Sequence, residues 1–184
     1  MSSQLLRVTL GAIVLLMLGV AAAACGDDDK ETDVDQGTPG ADAEGYYSDV
    51  DRIQNSLTER LDAISDQSEQ AFGDPDSARN SLSAAKNAGE TALEDLDALE
   101  APSVAAAAHA GMVSASEEMV ASVDGMIADL QGVEAGPDFD AFVNSIIQSD
   151  SAYTLAVESM RRACSDMQAA ADNSRVDVVY QCPI

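Results

Sequence analysis

The chain has 184 residues, of which 33 are Asp or Glu and only 9 are Lys or Arg, for a formal net charge of -24 at neutral pH. A polyanion of this kind repels phosphate backbones and anionic headgroups, which excludes nucleic acid and purely electrostatic membrane attachment. The same self-repulsion favours a monomer, and the length suits one domain with one hydrophobic core.

Residues 1–7 carry one positive side chain, Arg7, and an apolar run from Val8 to Ala24 follows, interrupted only by Thr9. The run is at the lower limit for spanning a bilayer and ends in small residues, so 1–24 reads as a signal peptide. Ala22-Ala23-Ala24-Cys25 resembles the bacterial lipobox, although Ala22 stands where a leucine is commoner. That resemblance implies acyl chains on Cys25, and two or more such chains hold a protein firmly on a membrane. Cleavage after Ala24 without lipidation, and retention of the leader as an anchor, are the alternatives. Loss of the leader takes Arg7 with it and leaves the remainder one unit more negative.

Residues 25–43 are acidic, polar and nearly free of apolar side chains. Such a segment cannot bury enough surface to offset its ordering entropy, and a disordered acidic tether is expected. Asp33-Val34-Asp35-Gln36-Gly37 has the opening of a calcium loop but lacks the further acidic ligands that such a loop needs.

From Glu44 onward, four segments show apolar residues at helical spacing between breakers. The first stripe is Tyr46, Val50, Ile53, Leu57, Leu61, Ile64 and Ala71, and Gly73-Asp74-Pro75 ends it with Asp74 placed to cap the next helix. The second is Ala78, Leu82, Ala85, Gly89, Ala92, Leu96 and Leu99, closed by Ala101-Pro102. The third is Ala108, Met112, Ala115, Met119, Val123, Met126 and Leu130, closed by Gly136-Pro137. The fourth is Phe139, Phe142, Ile146, Tyr153, Val157, Met160, Cys164, Met167 and Ala171. These periods predict an all-α domain over 44–184, an up-down four-helix bundle with neighbours crossing near 20°. Val176, Val178, Val179 and Tyr180 then suit an extended tail. An exported chain meets oxidants, so Cys164 and Cys182 are expected to pair and pin that tail, leaving Cys25 as the odd cysteine.

Candidate chemistry is sparse. Met112, Met119 and Met126 are seven residues apart, as are Met160 and Met167, and His109 shares the face of Met112. Thioethers with an imidazole suit Cu(I), and His with Met can ligate haem iron. Methionines at heptad spacing also serve as flexible core filler, which is the main expectation here. Asp150 falls on the fourth stripe, where a slight rotation of the face would carry it to the boundary, and Arg161-Arg162 is expected to pair with surface acids. Nucleophile elbows and glycine-rich phosphate loops are missing, so no enzyme activity and no cofactor are expected.

With leader, tether, helices and cysteines together, the chain resembles small secreted bacterial lipoproteins of uncharacterised function. The leader ending in Ala-Ala-Ala-Cys25, the turn Leu99-Glu100-Ala101-Pro102 followed by His109, and the Cys164 to Cys182 spacing carry the resemblance. It implies attachment to the cell envelope and no particular activity. The expected function is a lipid-anchored, extracytoplasmic helical module that binds or scaffolds a protein or small ligand. The alternative is an envelope protein handling Cu(I) or haem through His109 and the methionine faces.

Overall fold

The computed structural model describes residues 41–69, 75–148 and 151–182. The leader, Cys25 and nearly all of the tether lie outside these residues, as do Ala71, Asp74 and Asp150. The described part is helical with no strand: α1 (Ala41–Glu69), α2 (Pro75–Asp97), α3 (Ala106–Asp129), α4 (Pro137–Ile147) and α5 (Ala152–Asn173). Among the described residues no helix is long and apolar enough to cross a membrane.

Two boundaries differ from the sequence reading. The first helix already runs at Ala41, three residues inside the segment assigned to the tether. The expected fourth helix is two helices. Gln148 is extended (ψ 136°), and Ser151 is an N-cap whose side chain accepts the Thr154 amide proton at 3.2 Å. Serine is a strong N-cap because its oxygen satisfies one of the amides that a helix start leaves unpaired. Ile146 and Tyr153 remain seven residues apart, so the apolar register passes through the break and conceals it.

The turn between α3 and α4 depends on backbone that glycine adopts readily. Gly132 has φ +80° and Gly136 φ +141°, and Pro137 follows at the first helical position. The α3 end is also tied across the domain, where Arg79 of α2 donates to the Leu130 carbonyl at 2.6 Å and pairs with Asp76. A cation at a helix C-terminus satisfies a free carbonyl and opposes the helix dipole.

Close backbone approach runs in chain order, α1 to α2, α2 to α3 and α3 to α5, but is all but absent between α1 and α5. Gly89 of α2 brings its helix so near α3 that a Cβ there would meet Val120 Cγ2 at 3.2 Å. The core is correspondingly divided. One cluster joins Tyr46, Tyr47 and Val50 of α1 to Met112, Ala115, Cys164, Met167 and Tyr180. A second joins Ala78, Val123, Met126 and Leu130 to Phe139, Val143, Ile146 and Tyr153. A third, small one holds Leu61 and Ala85 between α1 and α2.

Helix α5 ends in a tight reversal. Arg175 has φ +56°, with Arg175 N–H donating to Asp172 O at 3.0 Å and Val176 N–H to Ala171 O at 3.1 Å. This is the paired bonding of a Schellman motif, here with arginine at the left-handed position that usually holds glycine. The chain then returns over the domain. Gln168 grips it from both sides, accepting from Tyr180 N–H at 2.8 Å and donating to Val178 O at 2.9 Å. The expected disulfide is present between Cys164 and Cys182, with Cα atoms 5.5 Å apart. Tyr180 is buried and its hydroxyl donates to the Tyr47 carbonyl at 3.1 Å, fastening the tail to the start of α1.

Candidate functional site

Where α1 and α5 stand apart, side chains bridge the gap incompletely and leave a pocket of about 140 Å³ that opens to solvent. Its wall comes from four helices. Helix α1 contributes Val50, Ile53, Leu57 and Leu61, and α2 contributes Ala92 and Leu96. Helix α3 adds Met112 and Met119, and α5 adds Val157, Met160 and Cys164. No charged side chain borders the space. The disulfide sulfur at Cys164 and the exposed Gln181 place the pinned tail along one side of it.

Four polar side chains interrupt this apolar wall: Gln54, Thr58 and Ser116 from the helices and Gln181 from the tail. Thr58 donates to the Gln54 backbone carbonyl at 3.0 Å and Ser116 to the Met112 carbonyl at 2.9 Å, as hydroxyls on helices commonly do. Gln54 Nε2 lies 4.0 Å from Cys164 Sγ, whereas Gln54 Oε1 is buried and has no hydrogen-bond partner. A buried acceptor left unpaired costs about 1–3 kcal/mol. Gln54 and Ser116 were missed in the sequence, because Ile53 and Ala115 beside them complete the apolar stripes. Gln54 occupies the heptad place between Val50 and Leu57, and Ser116 lies between Met112 and Met119. The one signal that could have found them is a polar residue at a heptad place flanked by apolar ones.

The residues considered for metal binding do not gather at one place. Met112, Met119 and Met160 border the cavity. Met126 belongs to the second core cluster. His109 is half-buried near the start of α3, and its Nδ1 lies 3.0 Å from the Tyr46 hydroxyl, not beside a carboxylate. The same hydroxyl approaches Met167 Sδ at 3.9 Å, and burial pushes its pKa well above the usual phenol range. His109 and Met167 thus meet through Tyr46, while the other methionines serve elsewhere. Among the described residues no group of three or more His, Cys, Asp or Glu side chains could hold a metal ion.

The arginines behave as surface residues. Arg162 donates to Glu158 at 2.7 Å, and Arg161 lies 3.9 Å from the same carboxylate. The Arg162 hydrogen bond, with the charge behind it, holds the Glu158 pKa below its ordinary value. Exposed pairs of this kind contribute little to stability. Compared with known proteins, the chain matches no family model, no curated protein and no solved structure.

Proposed function

We propose that this domain is a binding module held outside the cytoplasm on a lipid at Cys25, and that it takes a small molecule into the cavity among α1, α2, α3 and α5. The single observation that carries the reading is that pocket: about 140 Å³, walled mainly by apolar side chains from four helices. Small-molecule sites are concave and mostly apolar, with a few placed polar groups that orient the ligand. The four long helices pack up-down around it, while α4 packs into the second core cluster and adds nothing to the wall. The lipobox-like leader and the acidic tether support attachment to the envelope by keeping the domain near, but off, the membrane surface. The activity is binding, with no catalytic step, and the monomer is the working unit.

Native mass spectrometry of the protein extracted from its own membranes tests this in one spectrum. The expected species is a chain acylated at Cys25, two hydrogens lighter for the disulfide, and carrying a small organic molecule. An unacylated, ligand-free chain overturns the proposal.

Metal handling is the second reading, favoured by three thioethers, those of Met112, Met119 and Met160, around one space. Soft thioether sulfur suits Cu(I). Its test is a Cu(I) titration against a chromophoric chelator, with binding lost on Met112→Leu. His109 is not part of this wall, so haem held by His and Met is not carried forward.

A further inference from the structure

The pocket is a trough that follows the helix axes, and its two ends differ in kind. Along α1 its wall runs from Val50 to Leu61, about three turns or 16 Å. Val50, Leu96, Met112 and Cys164 meet at one end, all of them in the first core cluster. The exposed Gln181 stands beside the disulfide there, and Gln54 Nε2 lies 4.0 Å from Cys164 Sγ. The opposite end is mainly apolar. Leu61 belongs to the third cluster and Leu57 packs against it, while Met119 and Val157 pack against the second. Thr58 and Ser116 keep their protons on carbonyls of their own helices, so apolar contact along the trough breaks no hydrogen bond of theirs.

An open, elongated, apolar trough with one polar end matches an amphiphile. The opening lets a polar head stay in water while a chain lies along the wall. An extended chain advances about 1.2 Å per bond, so roughly a dozen methylenes run the length of the trough. Met112, Met119 and Met160 are unbranched and flexible, and they follow the bends of such a chain. Charge then sorts the heads. No cation borders the pocket, the chain carries a net charge of -24, and Asp51 follows Val50 at the polar end. An anionic head is repelled there, whereas an uncharged or cationic one is not. The Gln181 amide both donates and accepts, so it can bond a hydroxyl head in either sense.

We infer that the pocket holds a single-chain lipid with a non-anionic head, its head in water beside Gln181 and its chain running from the disulfide end toward Leu61 and Val157. The inference rests on the pocket being the ligand site, as proposed above.

The probes are 1-octanoylglycerol, 1-decanoylglycerol and decanoate, each below its micellar concentration. They are titrated into the full-length protein, labelled at its methionine methyl groups, and followed by NMR. The expected result is that decanoylglycerol moves the Met112, Met119 and Met160 methyl signals and leaves Met126 in place. Binding should tighten about 4- to 15-fold from eight to ten carbons, the upper figure being full burial of both added methylenes. Decanoate should bind more weakly than decanoylglycerol at low ionic strength, with the gap closing as salt is added. A nitroxide at the end of the decanoyl chain should broaden Met119 more than Met112. Equal affinity for decanoate at low salt, no gain with chain length, or stronger broadening at Met112 overturns the inference and leaves the pocket as a ligand site. No shift with any probe also overturns it. If the native mass spectrum then still shows a bound molecule, the lipid alone is refuted; if the spectrum is bare, the pocket reading falls with it.

Discussion

Tyr153 offers a test in which the expected sign is opposite to the usual one. It is 5% exposed in the second core cluster, and its hydroxyl has no hydrogen-bond partner. Buried polar groups without partners cost about 1–3 kcal/mol, while the ring packing of tyrosine is kept by phenylalanine. Tyr153→Phe should therefore stabilise the protein by about 1 kcal/mol or more at neutral pH. Burial also pushes the phenol pKa from 10.0 to about 12. The folded state then holds the proton more tightly than the unfolded state, so the contribution is complete below pH 10 and is lost as pH rises toward 12. The loss is about 1.4 kcal/mol at pH 11 and approaches about 2.7 kcal/mol above pH 12. Phenylalanine has no proton to lose, so the advantage of the variant should widen by about 1.4 kcal/mol between pH 7 and pH 11. Urea unfolding followed by circular dichroism at both pH values, with m-values compared, measures both quantities. A variant less stable than wild type at pH 7 would show that the hydroxyl is satisfied in the folded protein, and a gap that does not change at pH 11 would show that it is not desolvated there; either result refutes the reasoning.

Other perturbations have sharper, more conventional expectations. Reduction of the Cys164–Cys182 bond opens a loop of about 19 residues, and the chain-entropy model puts the loss near 3 kcal/mol, measurable as a lowered urea midpoint with a phosphine reductant present. Ser151→Ala removes the cap on Thr154 N–H and should cost about 1 kcal/mol in thermal unfolding; no change would mean that the α4–α5 break does not depend on that serine. Gly89→Leu should cost about 1–3 kcal/mol by forcing α2 from α3, because the Val120 methyl already stands closer to a Cβ than ordinary van der Waals contact. Gly89→Ala should lie much closer to neutral in the same denaturation assay, since the helix propensity gained, about 1 kcal/mol, offsets the shift demanded of that methyl.

What the sequence made legible was whatever depended on periodicity within one helix. The stripe Met112, Ala115, Val123, Met126 and Leu130 is buried as its spacing predicts, and so are Tyr46, Val50, Ile53 and Leu61. Tyr47 was missed. It is fully buried although its neighbour Tyr46 already occupies the apolar face, because the cover comes from distant chain: Ser174 meets its hydroxyl at 3.1 Å and Tyr180 its carbonyl. The break between α4 and α5 was missed for the opposite reason, since a heptad step across Ser151 looks like continuity. The cavity could not be read at all. It arises from how far α1 stands from α5, a distance between elements that no local pattern encodes.

The scarcity of lysine has a practical consequence for identifying what this protein touches. Lys86 is the single lysine in the described helices, and it is occupied: Nζ lies 2.5 Å from Asp124 and 3.7 Å from Glu90. The Asp124 hydrogen bond raises its pKa, so even less of it is present as the free amine that an activated ester requires. Amine-directed cross-linkers therefore have a single, ion-paired target in the described helices and will sample few neighbours. Carbodiimide coupling through the abundant carboxylates, which cover the same surface that leaves lysine so rare, is the chemistry that can trap a neighbour.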